Sequence, residues 1–320
     1  MMKASIIIPT KNAGVQFKGV LQALLEQKTP WEYEILVVDS GSSDGTVQYV
    51  LDQKRVRLHQ IPAKEFGHGA TRNLGISLTS GEFAVMITHD ALPAGNTWLL
   101  ELVTAADQDE NIAGSFGRHI AYEHDGPFLK RDLHQHFNGF LEWPDVVYMK
   151  DKERYKFDLG YQQFLHFFSD NNACLRRSVW EKIPYPEVDF AEDQLWAKQI
   201  IEAGYAKAYT DKAVVYHSHT FDFIELCQRS FDEARALQRL FGYELCPTVI
   251  QMLGQSLRTT VNDIRYLKEK GMMLGNLVWI LRAPFRNTAK QVGYYLGQRA
   301  NRLPDAMVRY ISRDMALKRK

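Results

Sequence analysis

The chain has 320 residues, 45% hydrophobic and 24% charged. That balance excludes wholesale disorder and allows one large domain or two smaller ones. The formal net charge of +1 hides an asymmetry: residues 271–320 hold ten Lys/Arg against two Asp/Glu, a local net of +8, so residues 1–270 carry −7. Three scattered cysteines, Cys174, Cys227 and Cys246, suggest neither a disulfide framework nor a zinc site and fit a reducing compartment.

Ser5-Ile6-Ile7-Ile8 is a β-branched run ending at Pro9, as in a buried strand. Phe17, Val20, Leu21, Leu24 and Leu25 then recur at helical spacing. Residues 34–38 read as a second strand, and Asp44-Gly45-Thr46 opens a helix carrying Val47, Val50 and Leu51. A third strand alternates through Val56, Leu58 and Ile61. A helix over 70–78, a strand over 83–87 and a helix over 98–103 follow. This alternation predicts a mainly parallel α/β sheet covered by helices on both faces.

Residues 121–170 mix aromatics, histidines and charges with poor periodicity, and read as an irregular excursion over an active site. Order returns at 174–180, followed by a helix over 192–203 stopped by Gly204 and a last strand over 213–216. From residue 223 onward the pattern is helical, divided by Pro247, Gly271, Pro284 and Pro304 into about four helices. The expected organisation is a catalytic domain over 1–222 and a basic helical region over 223–320. No run of eighteen apolar residues suggests a membrane span, and the N-terminus lacks a secretory pattern.

In a parallel sheet, ligands bind beyond the carboxyl ends of the strands. Those ends read Pro9-Thr10-Lys11-Asn12, Asp39-Ser40-Gly41-Ser42-Ser43-Asp44-Gly45-Thr46 and Thr88-His89-Asp90-Ala91, with Gly67-His68-Gly69-Ala70-Thr71-Arg72-Asn73 opening a helix. Hydroxyls, a carboxylate for a base N–H, an arginine for a base carbonyl or phosphate, and a metal-binding Asp form a plausible inventory for a nucleoside diphosphate with a divalent cation. Taken singly, each piece also reads as an ordinary turn, cap or surface residue. Neither a Gly-x-Gly-x-x-Gly turn nor a Gly-x-x-x-x-Gly-Lys loop is present, which argues against nicotinamide binding and NTPase chemistry.

In combination, Ile-Ile-Ile-Pro-Thr-Lys-Asn, Val-Val-Asp-Ser-Gly-Ser-Ser-Asp-Gly-Thr and Ala-Thr-Arg-Asn-Leu-Gly resemble glycosyltransferase family 2. The resemblance continues at Ala191-Glu192-Asp193-Gln194-Leu195-Trp196 and Val215-Tyr216-His217-Ser218-His219, covering about residues 3–220. The stretches 66–73 and 88–93 resemble the bacterial rhamnosyltransferases of surface polysaccharide synthesis, including O-antigen. The resemblance implies the GT-A nucleotide-diphospho-sugar transferase fold and a nucleotide-sugar donor, best matched by dTDP-L-rhamnose. It also implies a glycan or lipid-linked oligosaccharide acceptor and a Mg²⁺ or Mn²⁺ cofactor. Pro9, Thr10, Asn12 and His89 would line the nucleotide pocket, Asp39 would bind the pyrimidine, and Arg72 would support the base or the phosphates. Asp90 matches the second Asp of the family's Asp-x-Asp motif, with Thr88 in place of the first. His217 matches a position that can complete the metal shell, and His219 is a second candidate.

Inverting sugar transfer needs one base to take the acceptor hydroxyl proton. Glu192-Asp193 at a helix start supplies carboxylates for that role, Asp193 matching the family base; out of context the pair reads as dipole-favoured acidic residues. The histidines of the excursion (His124, His134, His136 and His166) read as solvated or acceptor-facing rather than as a second metal site. In the tail, Trp279, Tyr294 and Tyr295 stand among Arg282, Arg286 and Lys290. That pattern fits an interfacial helix on an anionic membrane, or a helical bundle with solvated basic residues. The expected location is cytoplasmic, peripheral on the inner face of the membrane, with no nucleic-acid partner. Two rival readings are a nucleotidyltransferase making the activated sugar and a non-catalytic glycan-binding module.

Overall fold

Each apolar run of the first ninety residues forms a strand. In the computed structural model, which describes residues 2–317, β1 (Ala4–Thr10), β2 (Tyr33–Asp39), β3 (Val56–Gln60) and β4 (Phe83–Ile87) are parallel, in the order β3-β2-β1-β4. Helices α1 (Gln16–Leu25), α2 (Thr46–Leu51) and α3 (His68–Ser77) link them. Strand alternation decides which face each side chain enters. Ile6, Ile8, Val37, Val85 and Ile87 join one core with Phe17, Leu21 and Leu24. Ile7, Leu36, Val38 and Met86 join the core on the other face with Ile76. All of these are fully or nearly fully buried, and each aliphatic side chain so buried contributes roughly 1.5–3 kcal/mol.

The chain divides into two units. One comprises residues up to 124 and 130–218, the other 125–129 and the residues from 219 onward. The first unit completes its sheet with β5 (Leu92–Pro93), β6 (Ile112–Ile120), β7 (Val146–Val147), β8 (Asn172–Arg176) and β9 (Ala206–Tyr216). The sheet is mixed: β8 is antiparallel to β4 and β6, while β6 and β9 are parallel. Three consequences position the site. The carboxyl ends of β1, β2 and β4 share one edge, and the antiparallel β8 starts at that edge, with Asn172 opposite Ile87. Strand β9 ends there too, so His217 emerges beside the end of β4. Asn172 anchors this junction, its side chain accepting from Trp98 Nε1 at 2.8 Å and donating to Ala213 O at 2.8 Å.

Two sequence expectations are corrected here. The stretch 121–170 is not irregular: it contains α5 (Pro127–Asn138), α6 (Lys152–Phe157) and α7 (Leu159–His166), preceded by α4 (Trp98–Asp107) and followed by α8 (Arg177–Trp180) and α9 (Glu192–Glu202). The last strand starts at Ala206, seven residues before its apolar end. Lys207 on it is fully buried, its Nζ donating to Phe164 O at 2.9 Å and to Phe167 O near the end of α7.

The second unit is helical: α10 (Phe223–Phe241), α11 (Val249–Glu269), α12 (Leu277–Gly297), α13 (Asp305–Ile311) and α14 (Arg313–Leu317). A capping box starts α10, with Asp222 accepting from Glu225 N and Glu225 accepting from Asp222 N. Helix α12 packs on α10 and α11, and Asn287 donates to the buried Asp263 at 2.8 Å. Pro284 does not divide the region as expected, because α12 runs through it. The residue is exposed, so its ring meets solvent and the helix loses one backbone bond rather than ending. Among the described residues no helix is long and apolar enough to cross a membrane.

Candidate active site

The first two strand ends are knitted together. Asp39 is fully buried, and its carboxylate accepts from Gly41 N (3.0 Å), Ser42 N (2.9 Å), Ser42 Oγ (2.5 Å) and Thr10 Oγ1 (2.9 Å). Asn12, at φ 48°, accepts from Ser43 N at 2.8 Å, while its own N–H donates to Ser42 Oγ at 2.7 Å. Thr46 Oγ1 and Asp44 receive the next two amides, of Ala13 and Gly14. Pro9, Thr10, Asn12 and Asp39 are therefore one rigid ledge at the sheet edge. Each Asp39 carboxylate oxygen already accepts two bonds, so a further donor such as a pyrimidine N–H would displace one of them.

The second cluster is acidic. Arg72 on α3 is buried, with Nη1 2.8 Å from Glu192 Oε1 and Nε 3.1 Å from Asp170 Oδ2. Sequence reasoning aimed Arg72 at the nucleotide, whereas the structure engages it with these two carboxylates. Tyr185 Oη donates to Asp170 Oδ1 at 2.5 Å, and the Asp170 amide donates to Asp193 Oδ2 at 3.2 Å. Gln194 N holds the other Asp193 oxygen at 2.8 Å. Three carboxylates thus surround one guanidinium, and the protonation states follow. Burial works against the charge of Arg72, but Asp170 and Glu192 outweigh it and hold the guanidinium protonated. Burial first, then the charges of Asp170 and Glu192, raise Asp193 well above the usual carboxylate range. Burial also raises Asp170, against the pull of Arg72. Immediately before this pair, Ala191 sits in the left-handed region at φ 59°, a conformation that costs on the order of 1 kcal/mol for a residue with a Cβ.

Residues 69–73 moor this cluster. Asn73 donates to Tyr185 O at 2.9 Å and accepts from Tyr185 N and Trp180 Nε1. A Cβ at Gly69 would lie 2.3 Å from Pro186 O, so only glycine lets α3 approach the 185–186 backbone. Gly69→Ala is therefore expected to cost about 1–3 kcal/mol of stability and to slow turnover through Tyr185. Thermal melting with a rate assay checks it; unchanged values for both would show that the loop yields freely.

The third group stands at the ends of β4 and β9. Asp90 Oδ1 is 3.6 Å from His217 Nε2. Behind His217, the ring of His119 packs edge-on at 5.4 Å, and burial pushes His119 well below the ordinary imidazole range, so it is neutral. Thr88 Oγ1 is buried and has no hydrogen-bond partner among the described residues. His89 is half-buried between Thr88 and Asp90. His219, two residues past His217 along the chain, is exposed and belongs to the second unit. A carboxylate oxygen and an imidazole nitrogen at this separation fit Mg²⁺ or Mn²⁺ as ligands.

Of the histidines within 121–170, His124 and His134 are exposed, while His136 and His166 contact aromatic side chains. His136 lies against Phe140 and Phe167 at 5.4 and 4.7 Å. His166 meets the Tyr155 hydroxyl at 2.7 Å and is lowered to about 3, mainly by burial. Trp143 stacks on Phe164 at 4.4 Å. Sequence reasoning missed Tyr185, which stands outside any motif, and did not join Asp170 to Glu192-Asp193.

Comparison with known proteins gives the family and the fold. The family model described as "Glycosyl transferase family 2" matches residues 5–183. The O-antigen chain rhamnosyltransferase RfbN of Salmonella typhimurium is 33% identical over 319 residues, covering 97% of this chain and 94% of that protein. The O-antigen chain rhamnosyltransferase WbaN of Salmonella anatum is 30% identical, with 98% and 94% covered. Among solved structures, a mannosyltransferase from Pyrobaculum calidifontis in complex with GDP-Man and Mn²⁺ superposes with a TM-score of 0.60 at 16% identity, covering 95% of this chain and 87% of that one. The Staphylococcus aureus TarS fragment with UDP gives 0.53 at 17% identity, covering 94% and 91%. The fold is GT-A.

Proposed function

This chain belongs to glycosyl transferase family 2 and is a glycosyltransferase; from that premise we propose that it is an inverting enzyme. It moves L-rhamnose from dTDP-L-rhamnose onto a glycan or lipid-linked acceptor of a bacterial surface polysaccharide. The acidic cluster carries the reading: Asp193, with its pKa raised, stands beside Asp170 and Glu192 at the edge where the nucleotide ledge lies. Asp193 takes the acceptor hydroxyl proton as the anomeric carbon is attacked. A carboxylate of ordinary pKa, about 3.9, is a weak base toward an alcohol, and the raised value narrows that gap. Glu192 and Asp170 fix Arg72, which holds the cluster together. Pro9, Thr10, Asn12, Asp39 and His89 frame the nucleotide.

Asp90 and His217 would hold a divalent cation, with His219, two residues further along the chain, as a second candidate ligand. When bound, Mg²⁺ or Mn²⁺ supplies Lewis-acid stabilisation of the leaving diphosphate. The rhamnose reading is supported by the two Salmonella O-antigen chain rhamnosyltransferases, whose similarity spans nearly the whole chain. The basic C-terminal region, residues 223–320, keeps the enzyme on the anionic inner face of the cytoplasmic membrane, where a lipid-linked acceptor would be confined.

A panel of nucleotide sugars with and without Mn²⁺, read by melting, tests the donor. A ligand at a hundred times its Kd stabilises by about 2.7 kcal/mol. The expected result is a Mn²⁺-dependent rise with dTDP-L-rhamnose, lost in Asp90→Ala or with EDTA, together with incorporation of the sugar with inverted anomeric configuration. A rise unaffected by EDTA would remove the metal from the proposal, and a larger rise with another sugar would replace the donor.

A further inference from the structure

The second unit holds a recess that borders His219. Phe128, Phe221, Phe223, Leu226 and Trp279 wall it, and Arg282 and Arg286 also line it. Trp279 is fixed in place: Phe128 packs against it edge-on at 6.5 Å, and a Cβ at Gly126 would lie 2.4 Å from the indole. Glycine at 126 is what lets the ring form this wall.

The two arginines stand four residues apart on α12, where like charges destabilise a helix by a few tenths of a kcal/mol. Among the described residues neither makes an ion pair or hydrogen bond with a carboxylate. The Arg282 guanidinium instead lies over the Phe223 and Trp279 rings, at 5.5 and 5.8 Å. The pair is therefore a cationic site without an internal anion. One residue round the same helix runs an apolar stripe of Leu277, Val278, Leu281 and Phe285, exposed by 57–71%. A large exposed apolar stripe marks an interaction surface rather than a solvated one. A guanidinium pair asks for a phosphate-like group, and aromatic walls beside an apolar stripe ask for hydrocarbon attached to it.

We propose that this recess receives the phosphate group of a membrane lipid, with Arg282 and Arg286 on the phosphate oxygens and Trp279, Phe221 and Phe223 against the first part of the chain. The inference rests on the membrane reading above and deepens it from diffuse attraction to a discrete headgroup site. Lipid is preferred to a free phosphate because charge and apolar surface lie side by side on one helix.

The test uses the full chain and phosphatidylcholine vesicles with and without phosphatidic acid. Arg282→Gln/Arg286→Gln is compared with Arg258→Gln/Arg265→Gln, which removes the same charge from exposed positions on α11. The recess pair is expected to lower affinity for phosphatidic acid vesicles about tenfold more than the α11 pair, with melting unchanged. A short-chain phosphatidic acid below its micelle concentration should change the fluorescence saturably, a change missing in Trp279→Phe and not produced by inorganic phosphate. Equal losses from both pairs would overturn the discrete site and leave membrane attachment standing. An equal response to inorganic phosphate would overturn the lipid. Absence of vesicle binding by the unaltered chain would defeat the membrane reading, and the short-chain titration would then decide the recess alone.

Discussion

Asp193→Asn is expected to lower transfer by about 10²–10⁴-fold, the usual cost of losing a general base, while nucleotide-sugar binding stays nearly intact. The substitution keeps size and shape. An amide oxygen still accepts from Gln194 N, which bonds Asp193 at 2.8 Å in the parent, so the start of α9 is preserved. What disappears is basicity. Burial and the charges of Asp170 and Glu192 raise the Asp193 pKa well above the ordinary value. The parent enzyme should accordingly be active above that raised pKa and lose activity as pH falls through it, well before ordinary carboxylates of pKa about 3.9 would titrate. The Asn variant should keep only a residual rate without that limb.

Stability carries the opposite sign. Between the unfolded and the raised folded pKa, the native state binds more protons than the unfolded one, so stability decreases as pH rises. The enzyme is thus expected to work where its acidic cluster is most strained. Melting and rate measured on one pH series would show the two limbs running in opposite directions. A variant that retains most of its turnover would remove Asp193 from the role of base.

Local chemistry made half of this architecture readable. Ile6-Ile7-Ile8 and Phe83–Ile87 are uninterrupted apolar runs because both faces of their strands are covered, and the helices between them repeat at 3.6 residues. Strand β6 escaped notice because Gly114, Ser115, Gly117, Arg118 and His119 break its apolar run, although it is buried almost throughout. Its identity depends on β8 and β9, which lie 50 to 100 residues away, and no local pattern encodes such pairing. Of the helices within 121–170, α5 has its apolar positions interrupted by charged and polar residues, while α6 and α7 are short, with too few turns for periodicity to stand out. Their one legible signal was capping: Asp151 accepts from Arg154 N, and Asp158 from Tyr161 N. In the site, motif order singled out Thr10, Asp39 and Asp90 at strand ends and Glu192-Asp193 at a helix start. Arg72 was another matter, because a sequence shows that a cation is present but not which anion faces it.

Arg72→Met separates the two readings of that residue. Among the described residues, Arg72 is the cation paired with this carboxylate cluster, 2.8 Å from Glu192 and 3.1 Å from Asp170. Methionine roughly fills the volume of the aliphatic stem and removes the charge. Breaking a buried ion pair from one side typically costs about 3–5 kcal/mol, because the partner charge is left uncompensated in a medium that solvates it poorly. Here two carboxylates lose their partner at once, so destabilisation toward the upper end is expected at neutral pH. Acid should partly rescue the variant: protonating Asp170 or Asp193 removes the charge that has no counterion, and both are already raised by burial. The melting difference from the parent should therefore shrink as pH is lowered. Arg72→Lys should fall between the two, since a single ammonium cannot reach both carboxylates as the forked guanidinium does. If instead Arg72→Met melts like the parent at every pH but loses nucleotide-sugar affinity, the arginine leaves its carboxylates when the donor binds. Its task would then be the base or the phosphates, as the sequence alone suggested.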